Sequence, residues 1–387
     1  MTGYAIEYFP VQRMSSYFSR YCTLLSSEEQ LAHCRHADSL GNLLTRIKLL
    51  WNCVDLNDNE LLSEVNRLNQ MPVDGIASLA GNWLPYFYQP KRQRVNWLLP
   101  VGHATEPFQD EYISRCRQQL LNQIIQPCSS LEFTKQQAEN VPNVQPSGFI
   151  FHLSRCGSTL ISGCLSEFET TCVFSESPLL TELLLDNRLS DIEHKNYLRA
   201  LINLQAAAFP ERPQVIIKWN AWDIFYWSLI REIYRRVPTI FLVRDPVEIL
   251  ASHQRSAGRH MAGDISLTAV NPIFLSTGQP LLVWRSGVLG ALLDEMKQFA
   301  PDPLVSRIDY SYLDASQIQQ ICHHFCVFDK DVFAQKITRR LQFHSKTPEV
   351  IFSDDRPAKQ TLFTAEEALG IRQQLLPIYL NFLNSEI

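Results

Sequence analysis

No apolar run in this sequence approaches the roughly 20 residues that a membrane-spanning helix requires, so no membrane span is expected. The opening residues, MTGYAIEYFPVQRM, lack the basic-then-apolar pattern of a secretory signal, and the expected setting is cytoplasmic. Excess positive charge is missing too. Lys and Arg total 35 against 40 Asp and Glu, a net charge of −5, which gives no reason to expect a nucleic-acid partner. Internal repeats and low-complexity tracts are absent. What remains is ordinary globular composition, 45% hydrophobic and 19% charged, in 387 residues: enough for two domains, or for one large domain with an extension.

Ten cysteines without a secretory signal read as free buried thiols rather than disulfides. The tightest cluster, CHHFC at 322–326, has zinc-ligand residue types. It has no second ligand pair nearby, however, and Ile318, Ile321, Cys322 and Phe325 make an apolar stripe at helical spacing. A structural helix is the expectation.

Residues 1–147 read as a mainly helical N-terminal region. Leu43, Leu44, Ile47, Leu50 and Trp51 share one helix face, and Leu61, Leu62, Val65 and Leu68 share another. Ile113, Cys116, Leu120, Leu121 and Ile124 predict a third helix, beginning after Pro107 and ending at Pro127. Between the second and third, NWLPYFYQPKRQRVNWLLPVG is aromatic and broken by proline, consistent with short strands or packed loops. The polar stretch 139–148, with two prolines, reads as a linker.

After it the rhythm changes. Short apolar runs alternate with helical stretches: FIFHL (149–153), TCVFSE (171–176), QVIIKW (214–219), TIFLVR (239–244) and LVSRIDY (304–310). Buried parallel strands have this composition, so residues 148–387 are expected to form an α/β domain in three layers around a mostly parallel central sheet.

Two stretches carry chemistry. In FIFHLSRCGSTLI (149–161) an apolar run breaks into Ser-Arg-Cys-Gly-Ser-Thr and turns apolar again. That is a strand, a phosphate-holding loop and a helix, without the usual nucleotide-loop signature: no Lys precedes Ser158-Thr159, and Gly157 is the loop's only glycine. A helix starting at Gly157 or Ser158 aims backbone N–H groups at an anion, and Arg155 adds a fork suited to phosphate or sulfate. The alternative is an ordinary strand-to-helix turn with an incidental Arg. In FLVRDPVEILASHQRS (241–256) a strand ends at Arg244-Asp245-Pro246, and Ser252 lies two helical turns on, facing the helix start. Arg244 and Ser252 together suit a second phosphate; alone, Arg244 could simply pair with an acidic neighbour.

The two motifs in this order resemble the sulfotransferases, which use 3′-phosphoadenosine 5′-phosphosulfate (PAPS) as sulfuryl donor and release 3′-phosphoadenosine 5′-phosphate (PAP). The likeness covers about residues 148–387 and extends to DYSYL (309–313), which resembles the family's Tyr-x-x-Leu segment. The sequence ATEPFQDEYI is also similar to an N-terminal extension of some bacterial members. The resemblance implies a P-loop-type fold, a metal-independent donor and a small-molecule acceptor, with the oligomeric state open. It implies that Arg155, Cys156, Gly157, Ser158 and Thr159 grip the 5′-phosphosulfate, and that Arg244 and Ser252 bind the 3′-phosphate.

Sulfuryl transfer needs a base for the acceptor's proton and cations where charge develops on the leaving oxygen. The family uses a His in its cytosolic members and a Glu in tyrosylprotein and many bacterial relatives. Glu176 falls at the end of the second strand, where an α/β site lies. Its bland reading is an acid favouring the dipole of the next helix. Lys218, at the end of the third strand, matches a Lys that holds the leaving oxygen; otherwise it makes a salt bridge to Asp223 or Glu176. The family shows Lys-x-Pro there, and this chain has Lys-Trp-Asn. Catalytic roles are thus assigned to Glu176, Lys218 and Arg155. His152, His253 and His260 are rival bases, and Arg356 and Lys359 either close over the 3′-phosphate or form a solvated loop. Two other classes remain: an ATP- or GTP-dependent kinase on an altered loop, and a non-catalytic nucleotide-binding scaffold.

Overall fold

The structure is a computed structural model that describes residues 16–276, 278–344, 347–351 and 362–384. Four helices open it: α1 (Ser16–Ser26), α2 (Glu28–Arg35), α3 (Leu40–Trp51) and α4 (Asp58–Asn69). Ser27, Ser39 and Asn57 cap α2, α3 and α4 through side-chain oxygens, and α4 has a full capping box with Glu60. The aromatic stretch forms β1 (Leu84–Gln89) and β2 (Arg94–Leu98), an antiparallel pair joined by β3 (Cys128–Ser130).

The single third helix expected before Pro127 is two, α5 (Gln109–Cys116) and α6 (Leu120–Ile124). Asn122 explains the break. Its amide donates to the Cys116 carbonyl at 2.8 Å, which a continuous helix would use for Leu120, and it pairs with both backbone groups of Leu99. Helix α7 (Leu131–Ala138) follows, and the stretch 139–147 lies along the fold, with Val144 N–H on Asn203 and Ser147 N–H on the Val215 carbonyl.

Five strands then build the central sheet: β4 (Gly148–His152), β5 (Thr171–Ser175), β6 (Gln214–Lys218), β7 (Thr239–Val243) and β8 (Val305–Asp309). Their order is β5-β6-β4-β7-β8 and every pairing is parallel, where a mostly parallel sheet was expected. Alternation sorts the side chains onto two faces. Ile150, Ile216, Ile240 and Leu242 pack with α8 (Ser158–Ser166) and with Ile318, Ile321, Cys322 and Phe325 of a later helix, Ala315–His324. The CHHFC segment therefore closes a core-packing helix, with Cys322 and Phe325 turned inward and His323 and Cys326 exposed. Phe149, Phe151, Ile217, Phe241 and Val243 face the other way, into a second apolar cluster. That cluster runs without interruption into α1, α3 and α4, and Phe151 stacks on Trp219 within it. Nine of the ten cysteines are buried and all are free; Cys326 is exposed. Among the described residues, no helix is long and apolar enough to cross a membrane.

This topology places the site. The helix after β4 leads toward β5, whereas the segment after β7 leads toward β8, on the opposite side. Adjacent connections diverging from β4 and β7 leave a crevice at the carboxyl ends of the strands, where open α/β sheets bind ligands.

Candidate functional site

Each of the five strands delivers a named residue to this edge. The loop after β4 curls sharply: Ser154 and Arg155 have φ of 64° and 52°, and Gly157 has φ of 87°. Left-handed backbone at two consecutive non-glycine residues is strained, and such curled loops gather N–H groups into an anion-binding concavity. Gly157 is the N-cap of α8, and Ser158 and Thr159 in its first turn are buried. Arg155 donates to the Ser256 carbonyl at 2.6 Å. Cys156 sends its thiol into the core, against the Leu242 carbonyl at 3.4 Å, and burial raises its pKa to about 12. Only its backbone can serve a ligand.

Glycine at 157 is required twice over. A Cβ there would lie 2.5 Å from the Tyr310 ring and 3.2 Å from Leu313, and its φ is left-handed. Tyr310 and Leu313, the ends of the Tyr-x-x-Leu segment, thus pack on the loop, and the Arg244 guanidinium lies 4.1 Å from the centre of the same Tyr310 ring. Replacing Gly157 with Ala is expected to lower stability by more than about 1 kcal/mol; urea denaturation measures it.

Arg244, at the end of β7, forms an ion pair with Glu248 one turn into the next helix, Pro246–Arg255, and reaches the Arg155 carbonyl at 3.4 Å. The acidic-neighbour pairing is therefore present, and it leaves the guanidinium against the loop after β4. Ser252, one turn further, bonds the Glu248 carbonyl. Asp245 accepts from the N–H groups of Val247 and Glu248 and caps that helix.

Glu176 leaves β5 in left-handed backbone, φ 53°, with its N–H on the Lys218 carbonyl. Its carboxylate oxygen Oε1 lies 2.9 Å from Lys218 Nζ and 3.4 Å from His152 Nε2. Burial pushes this carboxyl up, but Lys218 and then His152 outweigh it and hold Glu176 well below the usual carboxylate range. The side chain keeps 23% exposure, while Lys218 has none. The Lys218 ammonium also lies 4.8 Å from the Phe108 ring centre, and it has no aligned hydrogen-bond acceptor among the described residues. A buried cation with unused donors beside a curled loop suits an anion. Of the two partners expected for Lys218, Glu176 is the one found; Asp223 instead receives the Asn220 N–H and the Thr181 hydroxyl. Burial raises Asp223 to about 7.

His152 accepts the Ser154 N–H at Nδ1, which places its proton on Nε2, facing Glu176. A cavity of about 280 Å³ opens above this group, lined by Glu176, His152, Trp222, His260, Phe108 and Asp110. His260 is buried in its wall, its Nε2 lacking a hydrogen-bond partner among the described residues, and His253 packs edge-on to it at 5.2 Å. Burial, reinforced by His152, lowers His260 to about 3. The unfolded chain protonates this His near pH 6.5 and the folded chain does not, so its contribution to folding stability is full above that pH. That contribution should fall by about 1.4 kcal/mol per pH unit between 6.5 and 3, while Asp223 contributes the opposite slope below pH 7. Urea melts at pH 7, 6 and 5 should show His260→Phe losing less stability toward acid than the unsubstituted protein; equal pH dependence would contradict it.

Phe108 and Asp110, from the N-terminal region, were not foreseen as site residues. Their local signals are the acidic first turn of α5, common to many helices, and their place in ATEPFQDEYI, the stretch similar to a family extension. Arg356 and Lys359 lie outside the described residues. Among the described residues no His, Cys, Asp and Glu cluster could hold a metal ion.

No family model matches the chain, and no curated protein matches it in sequence. Among solved structures it is similar to a sulfotransferase domain from the curacin biosynthetic pathway, at 16% identity over 61% of this chain and 99% of that one, with a TM-score of 0.39. A sulfotransferase from Alicyclobacillus acidocaldarius gives 12% identity over 62% and 94%, TM-score 0.38. One from Mycobacterium avium gives 12% over 69% and 83%, TM-score 0.40. At this level of identity and overlap the likeness carries no weight for chemistry, which is read from the side chains.

Proposed function

We propose that this protein transfers a sulfuryl group from PAPS to a hydroxyl or amine of a small-molecule acceptor, with Glu176 as general base. One observation carries the reading: a partly exposed carboxylate and a fully buried ammonium 2.9 Å apart, beside a curled loop that carries an Arg and opens a helix. The residues fit the donor. The loop N–H groups, Ser158, Thr159 and Arg155 would hold its 5′-phosphosulfate, and Arg244 with Ser252 its 3′-phosphate. When bound, PAPS supplies the sulfuryl group as an activated phosphosulfate anhydride.

The chain's own residues do the rest. Glu176 takes the proton of the acceptor's nucleophile, which enters through the 280 Å³ cavity. Lys218 and Arg155 place positive charge where negative charge develops. Any anion that draws the Lys218 ammonium away from Glu176 raises the basicity of that carboxylate, so donor binding and base activation are linked. The polar His152 Nε2 edge lies 3.4 Å from the carboxylate and favours its ionised form.

A pH profile follows. Glu176 must be ionised to act, and its lowered pKa puts the acid limb of kcat/KM below the usual Glu range, near 4.3. Lys218→Met removes the main lowering influence and leaves burial, so the limb should move to higher pH while kcat falls. An unmoved limb would count against Glu176.

His260 supports a second assignment of the base, because its unpartnered Nε2 lies in the same cavity wall. The kinase alternative needs a carboxylate free to hold magnesium, and Asp245 is committed to capping its helix. Following PAP release from PAPS across a panel of hydroxyl and amine acceptors tests the function. Acceptor-dependent PAP formation without added metal is expected; PAPS binding without turnover of any acceptor would leave a nucleotide-binding scaffold.

A further inference from the structure

The cavity beside Glu176 holds only a small fragment, but it has a neighbour. A second cavity of about 620 Å³ lies between β1, β2, α4 and α5, and Asp110 and Pro178 line both. Pro178 follows Glu176 by two residues, so the shared wall is the edge of the candidate active site itself.

Three guanidiniums line the larger cavity: Arg92, Arg94 and Arg117. Among the described residues none of them forms an ion pair with a carboxylate. Arg94 donates to the Gln70 carbonyl at 2.9 Å, and Arg117 donates to the Tyr86 hydroxyl at 3.0 Å while lying 5.3 Å over its ring. Arg92 is exposed at the turn between the strands. Nearby arginines behave differently, since Arg67 is paired with Glu64 and Arg115 with Glu106. The only carboxylate lining the cavity is Asp110, at the wall shared with Glu176. Charge therefore differs along the two cavities: at the reacting end Glu176 is paired with Lys218 and the lining Arg259 with Glu182 and Asp264, while the far end carries unneutralised guanidiniums.

Building on the sulfuryl-transfer reading, we infer that the acceptor is an elongated molecule with an anionic group at one end. Its nucleophile sits at Glu176, and its carboxylate, phosphate or sulfate ester sits between Arg92, Arg94 and Arg117. Arg259, the guanidinium lining the smaller cavity, is already paired with Glu182 and Asp264, so the unpaired arginines of the larger cavity set which end reacts. Guanidinium forks match oxyanions bidentately, and β1 and β2 hold Arg92 and Arg94 on a rigid hairpin.

The test uses the full chain saturated with PAP, titrated with inorganic sulfate as the smallest anion of the proposed class. Arginine Nε–H signals are followed by NMR and assigned with Arg92→Gln, Arg94→Gln and Arg117→Gln. The signals of the three arginines should move along one saturating curve, and the sulfate Kd should rise about tenfold or more in Arg92→Gln/Arg117→Gln, a change of about 1.4 kcal/mol, with PAP affinity unchanged. Signals that stay still, or that drift without saturation as exposed arginines do, would overturn the inference. Failure of PAP to bind in the first step would instead overturn the sulfuryl-transfer reading.

Discussion

Glu176→Gln should lower kcat by about a thousandfold, within the range removed with a general base, while PAP affinity is held or slightly improved. The amide keeps the shape of the carboxylate but cannot take a proton, and it removes a negative charge from beside the anion site. Stability should fall as well. The Lys218 ammonium is fully buried and Glu176 is its ion-pair partner, so the variant leaves an uncompensated charge in the interior. Losing one member of a buried pair costs about 3–5 kcal/mol, and the 23% exposure of the carboxylate places this case at the lower end. Lys218→Met should be milder, because it removes the charge that is hardest to bury. Single-turnover rates and urea denaturation of both variants check the ordering. His260→Asn serves as the comparison: if it loses the thousandfold in rate and Glu176→Gln does not, His260 is the base.

Arg244→Ala should weaken PAP binding by about tenfold to a hundredfold, the equivalent of one charge-assisted hydrogen bond, with the fold retained. The side chain is buried against the Tyr310 ring and faces the loop after β4 through the Arg155 carbonyl. Its truncation also strands Glu248, which adds a carboxylate's repulsion to the loss of the guanidinium. Calorimetry reads the affinity. Unchanged affinity with a lowered Tm would make Arg244 structural, the partner of Glu248 and nothing more.

Much of the sheet was legible in the sequence because buried parallel strands are short, apolar and sharply bounded. The run at 149–153 became Gly148–His152, and the runs at 171–176, 214–219, 239–244 and 304–310 each trimmed by a residue at one or both ends. Residues at strand ends were legible for the same reason. Glu176, Lys218 and Arg244 all arrive at the carboxyl edge, and Lys218 meets Glu176 because Ser175 and Lys218 are in register. Side-chain direction was not legible. Cys156 belongs to the loop by sequence, yet its thiol points into the core, since the curl at Ser154 and Arg155 turns it away from the crevice. The break between α5 and α6 depends on Asn122 reaching Leu99, a contact between distant residues that periodicity cannot encode. Phe108 and Asp110 reach the site only because the N-terminal region shares its apolar cluster with the central sheet. Local pattern carries no trace of such docking.

On the sulfuryl-transfer reading, the crevice between β4 and β7 holds PAP rather than a nucleoside triphosphate. Calorimetric titration of the purified protein with PAP, ATP and GTP, each with and without magnesium, tests it most directly. Tight binding of PAP alone, independent of magnesium, is the predicted result. Preference for magnesium–ATP or magnesium–GTP, or no binding of any of the three, would contradict it.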